Sequence, residues 1–394
     1  MRDKKAFCSE VPRALFVILF FLLLPSFLFS GVLNSPSWGF SLDLPEGYEY
    51  IEGDAKDRFS FGHPNGAKFD LIVYYAPQGR QAPYSSVEEM AKDIHTRLNN
   101  KGEWDAFEYR QKKAILMEML FTISGSGLMS GWALCMELGE KTQSTAKPLL
   151  MAIAYGPRDR DGLQQFHLSA LDSLAPEDSD RRAPGPITEF GYPRVSRVLQ
   201  TVFGLDMYAW IYEEDAEGAQ YLIDREFQIL RNYQDAPDWK EAWERFYRAI
   251  YRDSYERLTD IAFRVERKMN VPSKADRDFA EDVLNWVQTF TYERELMGSD
   301  FINLISAATM GKGDCDNRSM LWAIVLIQAN IPAAMMVSRN YGHAMGLADL
   351  PGYGARFELG GQRLLVAETV AKVSLGLIGE TVSEREHWLG IQFE

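Results

Sequence analysis

The apolar residues of this chain change their spacing near residue 175, and that change limits the fold more than any other feature. Upstream, short runs such as "DRFSFGHP", "AKFDLIVYYAP" and "PLLMAIAYGP" read as strands separated by turn residues. Downstream, from "DAPDWKEAWERF", apolar residues recur every three or four positions. Side chains alternate faces along a strand and share a face about every 3.6 residues on a helix, so the two blocks call for different elements. Strands gathered ahead of helices predict an α+β chain, and 394 residues suffice for two or three domains.

The first unit is expected over residues 38–174. It opens with "WGFSLDLPEGYEYI" and continues through strands in "AILMEMLFTISG" and "GWALCMELGE". "SSVEEMAKDIHTRLNN" reads as a helix capped by Ser85 or Ser86, and "DRDGLQQFHLSALDSL" as a closing helix. Residues 175–191 are rich in proline, glycine and mixed charge, the signature of an exposed linker. Residues 192–270 predict a helical region. Its strongest helix takes Asp235 as N-cap, with Pro237 in the first turn. Trp239, Trp243, Phe246, Tyr247, Ile250, Leu258, Ile261, Ala262 and Val265 line one side. Such a stripe packs against a neighbour, the alternative being a glycan or peptide surface. The last unit, residues 271–394, starts with a helix in "PSKADRDFAEDVLNWVQTF", capped by Ser273.

A basic start followed by "ALFVILFFLLLPSFLFSG" predicts a signal peptide or membrane anchor over residues 1–30. The remainder is then expected to work outside the cytoplasm: periplasmic, secreted or anchored. Membrane contact is expected only through this segment, if it is retained. A net charge of −14 argues against nucleic acid as a partner. Of three cysteines, Cys8 precedes the apolar run. Cys135 and Cys315 remain, read as one buried and one reactive thiol, with a bridge between them as the alternative. His63, His95, His167 and His387 read as packing or surface residues.

Cys315 carries the chemistry. "MGKGD" is glycine-broken and polar, and a strongly apolar segment ending at "NIP" follows. A helix is therefore predicted to begin at Cys315 with Asp314 as its cap. A helix start offers free N–H groups and a partial positive charge, worth about 0.3–1 kcal/mol at an exposed site. Both favour a thiolate, whereas Asp314 and Asp316 oppose it. After a strand in "IPAAMMVS", His343 opens a second strand, and "GQRLLVAETVAK" returns as another carrying Glu368. A hairpin can set His343 beside Glu368, with Cys315 facing the imidazole: nucleophile, base and orienting carboxylate. The bland alternative is a buried cysteine with unrelated neighbours. No C-x-x-C or H-x-x-x-H spacing suggests a metal site, and no cofactor motif is legible. The sequon "NRS" at Asn317 falls inside the expected helix.

The segment "GKGDCDNRSMLWAIVLIQANIPAAMMVS", with "GHA" and "AET" following in order, resembles the transglutaminase-like superfamily core. The resemblance implies a papain-like helix-plus-antiparallel-sheet core. Cys315 would be nucleophile, His343 general base and acid, and Glu368 the orienting acid. The family usually has aspartate in place of Glu368, and often tryptophan where Met345 stands. The resemblance further implies a cysteine protease or amidase, or a transamidating enzyme, acting on peptide or protein amides. A binding or scaffolding protein that has lost the activity is the other outcome. The first unit, opening "GFSLDLPEGYE", resembles the PsbP-like α/β sandwich, a fold used mostly for binding.

Overall fold

The computed structural model describes residues 31–270, 274–294 and 299–393. The expected signal or anchor and the Ser273 cap lie outside these residues. The chain is α+β, built on two antiparallel sheets joined by helices. Among the described residues no helix is long and apolar enough to cross a membrane.

The first sheet has seven strands in the order β3-β4-β5-β9-β8-β7-β6. They are β3 (Glu49–Gly53), β4 (Arg58–Gly62), β5 (Lys68–Tyr74), β6 (Trp104–Tyr109), β7 (Lys112–Ile123), β8 (Gly127–Glu137) and β9 (Leu149–Pro157). A two-residue pairing of β1 (Leu33–Asn34) with β2 (Ser41–Leu42) precedes them. Alternate residues of β5 are buried, Phe69, Leu71 and Val73 on one face. The helices α1 (Val87–Arg97) and α2 (Leu163–Asp172) cover opposite faces and make separate cores. Ser86 caps α1 by accepting from the Glu89 amide at 3.1 Å. Strand β6 was not legible in sequence, because its residues are mostly exposed or half-buried on a sheet edge.

Residues 175–191 are not the expected exposed linker. They form a 3-10 turn over Asp178–Arg182 and the short helix α3 (Pro186–Gly191), with Ala183, Ile187, Thr188 and Asp180 buried. The charges that suggested exposure are paired: Asp180 accepts from Arg110 Nε at 2.7 Å. Nor is residue 192 onward purely helical. A two-stranded hairpin, β10 (Arg197–Val202) and β11 (Met207–Tyr212), comes first. The helices are α4 (Asp215–Leu230), α5 (Trp239–Arg257) and α6 (Thr259–Met269). The expected single helix capped by Asp235 starts instead after Asp238 and breaks at Leu258. Its stripe packs: Phe246, Tyr247, Ile250, Leu258, Ile261 and Val265 are buried in one core.

A seam of buried charge joins the strand-rich and helical parts. Asp172 on α2 accepts from Arg225 on α4 at 2.7 Å. Arg245 on α5 donates to Glu226 at 2.8 Å and reaches Glu46 of the first unit at 3.2 Å. Arg110 bridges Asp180 and Glu256, and Arg257 holds Asp215 and Asp253 at 2.7 and 2.9 Å. Buried ions survive only when paired in this way.

The last part contains α7 (Asp276–Val287), α8 (Leu304–Met310), α9 (Cys315–Gln328) and a second sheet. Its strands are β12 (Ala333–Ser338), β13 (His343–Ala348), β14 (Arg356–Leu359), β15 (Gln362–Ala367) and β16 (Leu389–Ile391), in the order β14-β15-β13-β12-β16. Helix α9 is buried nearly all round, from Met320 to Leu326 without a break. It packs on β13 and β12 on one side and on α6 and α7 on the other. Trp322 lies flush on Gly346 of β13, where a Cβ would sit 2.5 Å from the indole, and its Nε1 donates to the Ala280 carbonyl at 3.0 Å.

Candidate active site

The loop before α9 explains its glycines. Gly311 ends α8 in the left-handed conformation, with φ of 65°, where a side chain would also strike the Phe203 ring. Gly313 has φ of 149° and leaves room for the Asn317 side chain. Asp314 then caps α9 by accepting from the amides of Asp316 and Asn317 at 3.0 and 3.1 Å. Asn317 returns the bond, its Oδ1 accepting from the Asp314 amide at 3.0 Å. The sequon asparagine is thus fully buried. Arg318 ties the loop down by donating to the carbonyls of Gly313 and Phe290 at 3.1 and 2.8 Å.

Cys315 is the first residue of α9, as its sequence suggested, and is 5% exposed. Cys135 is fully buried in β8, and both thiols are free, which excludes a bridge between them. Burial pushes the Cys135 thiol up to about 12. Burial also pushes the Cys315 thiol well above its usual range, and the charges of Asp316 and Asp314 push it further. The amides of Ala344 and of Cys315 itself pull it down, by less. Both aspartates have raised pKa values, first through burial. Asp316 is raised further by Asp314, and the Tyr247 hydroxyl donates to it and partly offsets the rise. Burial and the two carboxylates thus favour the neutral thiol over the thiolate.

His343 opens β13 and Glu368 follows β15, on strands paired antiparallel through Gly346–Ala367 and Ala348–Leu365. The register carries the two side chains together, and His343 Nε2–H donates to Glu368 Oε2 at 2.8 Å. The ring is partly open to solvent and leans on Trp388, with centroids 6.1 Å apart. Glu368 is held at both carboxylate oxygens and at its carbonyl. Its Oε1 accepts from the amides of Val370 and Ala371 at 2.7 and 3.2 Å. Its carbonyl accepts from Gln288 Nε2 at 2.8 Å, and the next residue, Thr369, hydrogen-bonds Ser319 of α9 at 3.0 Å. Burial acts to raise the Glu368 pKa, but the His343 contact and the two amides outweigh it, and the carboxyl falls below its usual range.

Two of the three expected residues are thus in direct contact. The third, at the start of α9, has its sulfur against the amide of Ala344, the residue after His343 on β13, with no hydrogen bond to the His343 ring. Nε2 is committed to Glu368, so Nδ1 is the ring atom left to exchange a proton. Sequence reasoning missed Gln288, Ser319 and Tyr247. Each acts through a hydrogen bond to a partner distant in sequence, and nothing local marks it. His167 is buried in the first unit, and burial lowers it to about 4. His387 pairs with Glu384 at 2.8 Å near the surface.

The thiol and the carboxylates of Asp314 and Asp316 also lie within 4.8 Å of one another. A hard cation would accept the carboxylates, and zinc the thiolate. Asp314 already spends one oxygen on two amides, so the trio reads as a helix cap beside a thiol.

No protein-family model matches the chain, and neither does any curated protein sequence. Three solved structures are distantly similar. The cyanobacterial PsbP from Synechocystis is 10% identical over 37% of this chain and 91% of its own, with a TM-score of 0.26. A protein from Bacteroides thetaiotaomicron is 11% identical over 56% and 76%, with a TM-score of 0.25. A provisionally assigned cysteine protease from Cytophaga hutchinsonii is 12% identical over 79% and 80%, with a TM-score of 0.22. Scores this low carry no argument about fold or chemistry, and the site must be judged on its own geometry.

Proposed function

We propose that this chain is an exported, cysteine-dependent amide-bond enzyme with a transglutaminase-like C-terminal core. The supporting observation is the clamped His343–Glu368 pair, with His343 on β13, whose Ala344 amide meets the buried thiol at the start of α9. As the substrate carbonyl meets Cys315, His343 Nδ1 takes the thiol proton and Sγ forms a bond to the carbonyl carbon. The carbonyl π electrons move to oxygen, where the Cys315 amide at the helix start can donate. Collapse expels the amine, which takes the proton back from His343 and leaves a thioester. Water, deprotonated by the same ring, then releases the carboxylate and regenerates the thiol. An amine in place of water gives transamidation. Because the neutral thiol is favoured, proton transfer accompanies attack instead of preceding it. Glu368 keeps the ring oriented and stabilises the imidazolium.

The substrate class is a peptide or protein amide, with hydrolysis ahead of transamidation. The basic and apolar first thirty residues support an extracytoplasmic place of work, and the strand-rich first unit, read as PsbP-like, would serve binding. A second reading, an inactive scaffold, is favoured by the thiol's high pKa and its missing bond to the ring. One experiment separates them. Peptide amides are offered to the wild-type chain and to Cys315→Ala, His343→Ala and Glu368→Gln, and both released amine and trapped thioester are measured. Turnover abolished by the first two, and cut about 10²–10⁴-fold by the third, supports the enzyme. Absent thioester with labelling of Cys315 no faster than a free thiol supports the scaffold.

A further inference from the structure

A sizeable cavity lies away from Cys315. A cavity of about 530 Å³ opens between α2 with its following turn and helices α4 and α5. Neither Cys315, His343 nor Glu368 lines it. Its size falls within the roughly 300–1,000 Å³ usual for small-molecule sites.

The wall is rich in arginine, and most of that charge is neutralised inside the protein. Arg225 pairs with Asp172 and Glu226. Arg245 pairs with Glu226 and Glu46. Arg248 grips Asp43 with two bonds, at 3.0 and 2.9 Å. Arg252 differs. Its two terminal nitrogens donate only to the neutral carbonyls of Asp172 and Leu174, at 2.9 and 2.8 Å. Among the described residues no carboxylate forms a salt bridge with it, and its Nε is buried without an acceptor. Arg225 is 4% exposed, and its Nη1 is likewise buried and unpaired. Both guanidiniums converge on Asp172, one on its carboxylate and one on its carbonyl. A half-buried cation with no salt-bridge partner of its own, beside an orphaned donor on a second buried arginine, can accommodate an oxyanion even though carboxylates such as Asp178 and Asp253 also line the cavity.

We propose that this cavity binds a small anion bearing a carboxylate or phosphate group, which accepts from Arg252 and, after a small side-chain shift, from Arg225 Nη1. The ligand would touch α2 of the first unit together with α4 and α5, and so would hold the two parts together. This site is independent of the amide-bond chemistry.

Thermal unfolding and titration calorimetry of the full chain test it, with inorganic phosphate in one arm and citrate in the other, against chloride at matched ionic strength. A melting temperature that climbs with the logarithm of one anion's concentration, and not with chloride, supports the site and tells phosphate from carboxylate. Arg252→Gln should weaken that anion at least tenfold. Because Arg252 also anchors the end of α2, affinity and not stability is the readout. Ala249→Leu, which fills the cavity without removing a charge, should abolish binding and decides the matter if Arg252→Gln does not fold. No anion-specific shift in either arm, or equal affinity in Ala249→Leu and wild type, overturns the proposal.

Discussion

Asp316 is the group most opposed to a reactive thiol, and its removal is the sharpest test of the electrostatics at Cys315. Its carboxylate lies within 4.8 Å of the sulfur. With an effective dielectric constant of about 20, two charges that far apart interact by about 3.5 kcal/mol, or about 2.5 pKa units. Water reaching the site screens part of this. Asp316→Asn keeps the side chain's size and its ability to accept from Tyr247, and leaves the Asp314 cap intact. The Cys315 thiol pKa should therefore fall by about 1–2.5 units. The assay is the iodoacetamide alkylation rate against pH, with peptide mass mapping to separate Cys315 from Cys8 and Cys135. A midpoint that stays put or rises refutes the reasoning. Stability gives a second reading. Burial and Asp314 raise the Asp316 pKa in the native state, so the native chain holds that proton more tightly than the unfolded chain. Stability then falls as pH rises from about 4, the unfolded value, through the raised native one. The asparagine variant should lose this slope and be the more stable protein at neutral pH, as read from urea midpoints at acid and neutral pH.

Two other substitutions probe the frame around the site. Arg257→Ala leaves Asp253 as a buried carboxylate without its arginine and Asp215 with Arg194 alone, and should cost about 3–5 kcal/mol in chemical denaturation; a loss below about 1 kcal/mol would show that water already shares the seam. Gly346→Ala drives a methyl group into the Trp322 ring, 2.5 Å away, and should cost about 1–3 kcal/mol while slowing thioester formation through displacement of β13; unchanged stability and rate would mean that α9 and β13 slide apart freely.

How much was legible in sequence follows the range of the interactions. The start of α9 at Cys315, its Asp314 cap and the His343–Glu368 pairing rest on local signals: glycines, a capping residue, two strands and a turn. The Asp235 cap failed because the chain spends three more residues in a turn, with the Trp239 amide bonded back to Ala236. The break at Leu258 was hidden because both helices keep apolar residues facing one core. Residues 175–191 misled for a different reason. Their charges suggest water, yet Asp180 finds Arg110 from seventy positions away, and no local pattern announces such a partner. The hairpin over Arg197–Tyr212 had half its residues facing outward, so neither period stood out.

The charged seam also sets an order of events during synthesis. Glu46, Asp172 and Asp180 leave the ribosome well before Arg225, Arg245 and Arg257. Until those helices arrive, Asp180 has Arg110 and Lys112, Asp172 has the amides of Ile187 and Thr188, and Glu46 still awaits Arg245, which leaves a half-made chain unfinished. Arrival of the arginines then fastens both parts in one step, so the early part waits as a hydrated half-clasp and completes only with its partner.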